Sequence, residues 1–175
     1  MRIADFDRAP DSDAETTARL WADVPQWVGV VVDERPYGSV DALVDRARRA
    51  SARWGAAELD AALGRHARIG EAPRGDSAEA AASRREQSAV TRAGSGVAAR
   101  LADANARYEA RFGRVFLIRA AGRSPKEILG ELERRLRNDD ETEVREACSQ
   151  LAEIAILRIR SAFENETSAN ETKES

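Results

Sequence analysis

Apolar residues return every third or fourth position along most of this chain, the spacing that gives an α-helix one buried face. Pro10-Asp11-Ser12-Asp13 supplies capping residues for a helix carrying Ala18, Leu20 and Trp21 that stops near Pro25. Residues 1–11 before it read as a short lead-in, with Phe6 tucked against the body. Ser39-Val40-Asp41-Ala42 opens a second helix, after the turn Arg35-Pro36-Tyr37, with Leu43, Val44 and Ala47 facing inward. Leu59, Ala62, Leu63 and His66 fall at i, i+3, i+4 and i+7 of a helix predicted over 54–65. That helix runs into a loop over 70–76 marked by Gly70, Pro73 and Gly75. A helix over 77–92 then sets Ser83, Glu86, Gln87 and Val90 on one face. Gly94-Ser95-Gly96 breaks it, and the next helix, over 97–111, closes at Phe112-Gly113 with glycine where a helix C-terminus favours it.

Two apolar stretches lack that period. Trp27-Val28-Gly29-Val30-Val31-Val32 has strand propensity but no strand pattern nearby to pair with, so it reads as a short buried helix. Val115-Phe116-Leu117-Ile118, bounded by Gly113 and Gly122, predicts an extended buried connector over 114–121. Ser124-Pro125-Lys126-Glu127 is the clearest helix start: serine caps, proline takes the first turn, and Glu127 completes a capping box. Ile128, Leu129, Leu132 and Leu136 follow on one face. Asn138-Asp139 opens the last helix, through Val144, Ala147, Leu151, Ile154 and Ile159 to Phe163. Residues 164–175 are polar and aperiodic, which predicts a disordered tail. The expectation is an all-α fold, one domain over residues 1–163, with roughly seven to nine helices.

Composition narrows the function classes. Charged residues make up 34% of the 175 and aromatics 5%, a balance that suits amphipathic helices. The formal net charge of −3, with arginines interleaved among acids, argues against a general affinity for nucleic acid or anionic membrane. Arg84-Arg85 is too short a basic run, neutralised by Glu86, for a DNA-recognition helix. One cysteine, Cys148, and one histidine make a disulfide framework or an N/S zinc site improbable. No run approaches a membrane span and no signal-peptide core is visible, so the expected compartment is the cytoplasm.

His66 is the first candidate for chemistry. A ring that titrates near neutrality, half in the core where the chain changes direction, suits proton transfer. The alternative is a packed, hydrogen-bonded core histidine. Arg158 is the second. Leu151, Ile154 and Arg158 share a face of a helix that is apolar nearly all round, so its guanidinium needs an anion or a set of carbonyls. Glu86 is either a carboxylate partner for Arg158, a catalytic carboxylate beside Ser83 and Gln87, or simply exposed. Cys148 falls mid-helix and reads as core. Phosphate-binding loops and nucleophile elbows are missing.

Taken together, these segments resemble a known family. His66-Ala67-Arg68-Ile69-Gly70-Glu71, Ser83-Arg84-Arg85-Glu86-Gln87, Asn105 with Tyr108-Glu109-Ala110-Arg111-Phe112-Gly113, Phe116-Leu117-Ile118 with Gly122-Arg123-Ser124, and Asn138-Asp139 to Leu157-Arg158-Ile159 carry the likeness. Phe6, Trp27, Arg35-Pro36-Tyr37 and Trp54 extend it over residues 5–163. The order and spacing are similar to those of the 2-oxo-4-hydroxy-4-carboxy-5-ureidoimidazoline (OHCU) decarboxylases of ureide metabolism. The resemblance implies an all-helical fold, a homodimer, no metal or organic cofactor, and the last step from urate to (S)-allantoin. It implies His66 and Glu86 as catalytic positions, and Ser83, Gln87, the Ile118 backbone, Arg158 and Ala67 as substrate-binding ones. The family usually has proline directly after the histidine. Ala67 leaves φ unfixed and His66 less restrained, which implies a looser site. The rival reading is a non-catalytic helical interaction module, or a divergent paralogue, with Glu86 and Arg158 as a buried ion pair.

Overall fold

The computed structural model describes residues 1–63 and 95–163. His66, Ala67, Ser83, Glu86 and Gln87, the loop over 70–76, the helix over 77–92 and the tail over 164–175 lie outside the described residues. Among the described residues there are eight helices and no strand: α1 (Ile3–Arg8), α2 (Asp11–Trp21), α3 (Pro25–Asp33), α4 (Val40–Ser51), α5 (Ala56–Leu63), α6 (Ser95–Phe112), α7 (Pro125–Arg135) and α8 (Asp140–Phe163). The all-α expectation holds. These helices group into two compact units, Met1–Trp54 with Ala152–Ser175, and Gly55–Leu151.

In the first unit α2 packs on α3 and α3 on α4. The lead-in is itself a short helix, α1, which buries Ile3 and Phe6 one turn apart. Phe6, Trp21 and Phe163 form an aromatic cluster, with the Phe6 and Trp21 centroids 5.1 Å apart and Trp21 and Phe163 6.0 Å. Pro25 starts α3 rather than ending α2: it occupies the first turn, where its missing N–H removes no helical bond. The valine-rich stretch is helical as read. Trp27 is buried in it, and its indole N–H donates to the Ala47 carbonyl at 3.0 Å. Ala14, Ala18 and Trp21 form the buried face of α2, and Leu20 is 40% exposed. Pro10 precedes the first turn of α2 without a side-chain cap, so the expected Asp and Ser caps do not form. Ser39 does cap α4, accepting the Ala42 N–H at 3.2 Å.

The second unit buries Leu101, Ala104 and Tyr108 of α6 against Ile128, Leu129, Leu132 and Leu136 of and beside α7. Gly96 lies within the first turn of α6, which starts at Ser95, two residues ahead of the expected start. At the other end Gly113 adopts φ +67°, the left-handed region that closes a helix, and its N–H bonds the Glu109 carbonyl at 2.9 Å. The capping box of α7 forms as read: Ser124 accepts the Glu127 N–H at 3.3 Å, and Glu127 accepts the Ser124 N–H at 2.7 Å. Asp139 caps α8 through the Thr142 N–H at 2.7 Å.

Candidate functional site

The connector over 115–120 leads from α6 to α7 in neither helix nor strand, and Phe116, Leu117 and Ile118 are buried, as the sequence predicts. Buried peptide groups outside regular structure need partners from elsewhere. Two of them are held. The Leu117 carbonyl accepts a bond from Arg135 Nη1 at 2.8 Å, and the Arg119 N–H donates to Gln150 Oε1 at 3.0 Å. Between these anchors Ile118 is 5% exposed, yet no group among the described residues hydrogen-bonds its N–H or its carbonyl. A buried N–H and a buried carbonyl left unanswered are destabilising unless something else completes them.

Arg135 is held in turn. It is 1% exposed, at the end of α7, and Glu143, 3% exposed, is in the first turn of α8. Nε of Arg135 lies 3.0 Å and 3.2 Å from the two Glu143 oxygens, and Nη2 also bonds Oε1. The Tyr108 hydroxyl donates to the same carboxylate, and Asn138 Nδ2 donates to Oε2 at 2.9 Å. Glu143 therefore carries a full set of donors, the condition under which a buried ion pair is tolerated. The Arg135 guanidinium also stacks 4.7 Å from the Phe116 ring centroid, against which Tyr108 sits edge-on at 5.1 Å. Burial, reinforced by the bond to Glu143, pushes the Tyr108 hydroxyl well above the usual phenol range. Beside this cluster Arg134 reaches Glu131 at 3.0 Å and Glu146 at 3.1 Å, and holds the Glu146 carboxyl below its ordinary value.

Arg158 belongs to the other unit. Its Nη1 lies 3.3 Å from the Leu20 carbonyl and 3.5 Å from that of Trp21. These carbonyls end α2, where the last turn has no helical donors and the helix dipole is negative. A set of backbone carbonyls is thus among the partners of this buried cation. The proposed partner Glu86 lies outside the described residues, as do His66, Ala67, Ser83 and Gln87. Cys148 is buried as read, with its thiol 3.5 Å from the Gly55 carbonyl and pushed up in pKa by burial. Sequence reasoning missed Arg135, Glu143, Tyr108 and Gln150 as functional candidates. The available signal was an arginine at i+7 from Ile128 and i+3 from Leu132, in line with the buried stripe of α7, followed by a glutamate on the stripe of α8.

The second unit thus holds an extended segment at two points and leaves the Ile118 N–H and carbonyl open between them. The sequence model of the family described as OHCU decarboxylase matches residues 7–160, so the chain belongs to the OHCU decarboxylase family, enzymes of the carboxy-lyase class. Two solved structures are similar. An OHCU decarboxylase crystallised in the presence of (S)-allantoin matches with a TM-score of 0.72 at 22% identity, covering 89% of this chain and 99% of that one. An (S)-allantoin synthase matches with a TM-score of 0.67 at 12% identity, covering 93% of this chain and 54% of that one, about half its length. At such identities the likeness shows the shared fold. No curated protein matches the sequence. No helix among the described residues is long and apolar enough to cross a membrane.

Proposed function

We propose that this enzyme decarboxylates OHCU to (S)-allantoin, without a cofactor, as a cytoplasmic homodimer. The observation that carries the reading is the family match over residues 7–160. In the substrate one ring carbon bears both a carboxylate and a hydroxyl, and the neighbouring ring carbon, which carries the ureido arm, is double-bonded to nitrogen. As carbon dioxide leaves, the electron pair of the broken bond moves between the two ring carbons and displaces the double-bond pair onto nitrogen, which takes a proton. The substrate is its own electron sink. What remains for the protein is to accept the hydroxyl proton as the carbonyl forms and to deliver one to a single face of the ureido-bearing carbon.

His66, neutral at a reference pKa of ~6.5, takes the hydroxyl proton in this scheme. His66 or Glu86 returns a proton, and the face chosen fixes the chirality of the product. Arg158 orients the polar imidazoline or its charge, while Ser83, Gln87 and the Ile118 backbone hold the ureido arm, with Ala67 beside the histidine. The open Ile118 N–H and carbonyl support its part in this assignment. Binding of this kind lowers the barrier through placement. Because the substrate also decarboxylates unaided, total turnover does not discriminate; optical activity does. Circular dichroism of freshly made substrate should develop the (S)-allantoin signal with protein present and stay near zero without it. A racemic product in both cuvettes would refute the proposed activity.

A further inference from the structure

We infer that Arg135 is a positioning residue for substrate, acting through the connector, with Glu143 and Tyr108 fixing Arg135 and Gln150 serving as the second anchor. The inference deepens the reading above and rests on it, since it takes Ile118 as the point where the backbone meets the ureido arm. Three observations carry it. Arg135 grips the connector twice, by the 2.8 Å bond to the Leu117 carbonyl and by stacking on the Phe116 ring. Gln150 grips it from the other side, at the Arg119 N–H. The Ile118 N–H and carbonyl, each the other half of a peptide group held in this way, are buried and without a partner among the described residues. A free peptide in a loose loop would turn and find water or a neighbour. Here both flanks are tied, so the Ile118 N–H and carbonyl keep a set direction, and a ureido group offers the complementary donors and acceptor for them.

The buried ion pair thereby gains a purpose that stability alone does not give it. Replacing such a pair with apolar residues is often neutral or stabilising, whereas a planar guanidinium holds a carboxylate by two donors and a carbonyl by a third in one fixed geometry that an ammonium does not impose.

The test is a comparison of three variants in the full chain, assayed by the growth of (S)-allantoin ellipticity. Arg135→Lys keeps the charge and loses the fork. Gln150→Ala removes the opposite anchor. Arg134→Ala is the control: it breaks the pairs with Glu131 and Glu146 on the same helix and touches no connector group. Arg135→Lys should raise KM about tenfold and Gln150→Ala about threefold, each with a smaller change in kcat, as expected when a ground-state binding contact is weakened. Arg134→Ala should alter Tm and leave both constants as they were. If Arg135→Lys and Gln150→Ala fold and keep the wild-type KM, the inference fails while the decarboxylase reading stands. Should Arg135→Lys not fold, Gln150→Ala decides alone. Wild-type protein that gives no optically active product overturns the functional reading, and this inference with it.

Discussion

A guanidinium inside an apolar helix is tolerated only when its donors are answered, and Arg135 and Arg158 both meet buried acceptors. Arg158 has backbone carbonyls at the end of α2 among its partners, and Arg135 takes a whole carboxylate and a connector carbonyl. The same logic governs the two tyrosines. Tyr37 donates to the Val31 carbonyl at 2.9 Å, and burial pushes its hydroxyl up to about 12; Tyr108 is shifted further for the reasons given above. In the unfolded chain both phenols ionise near pH ~10. Below that pH the neutral hydroxyls contribute their full stabilisation. As pH rises from 10 toward 12 the unfolded state sheds protons that the folded state retains, so stability falls. Thermal melts should show Tm declining through this window, with a shallower decline in Tyr37→Phe; an identical slope in the variant would remove Tyr37 from the explanation. The sequence made Arg158 conspicuous because its neighbours Ile154, Ala155, Ile156, Leu157 and Ile159 are apolar. Arg135 stayed hidden because Glu131, Glu133, Arg134 and Arg137 around it imitate a solvated face, and its partner lies on the next helix.

Helix ends divide into those set by local chemistry and those set by packing. The start of α7 is local, since Ser124, Pro125 and Glu127 define it without help. Ser124→Ala should therefore cost about 1 kcal/mol and lower Tm, leaving the far-UV spectrum near that of wild type. A variant as stable as the parent would mean that packing of Ile128, Leu129 and Leu132 alone sets that end. The caps of α4 and α8 and the Gly113 stop of α6 are legible for the same local reason. α1 was not, because six residues give too few repeats to display a period, and its place depends on Phe6 meeting Trp21 and Phe163. Pro25 misled for a related cause: proline is a breaker in mid-helix but acceptable in a first turn, and only tertiary structure decides where that turn falls.

At the scale of the molecule the helical class was written in the period of apolar residues and in the absence of paired strand patterns. Family membership was written in the order and spacing of motifs that are each weak alone. The connector was legible as buried and extended, but the two anchors that leave Ile118 open come from Arg135 and Gln150, which no local pattern links to it. The catalytic assignment has a different source, the carry-over of family positions onto His66 and Glu86. Its central claim is that a single imidazole carries the proton whose placement makes the product chiral. The most direct measurement is the initial rate of (S)-allantoin ellipticity in His66→Ala against wild type, with far-UV spectra confirming a common fold. General acid–base help of the ordinary size predicts a loss of about 10²- to 10⁴-fold. A His66→Ala enzyme that folds and forms (S)-allantoin at the wild-type rate would contradict the account.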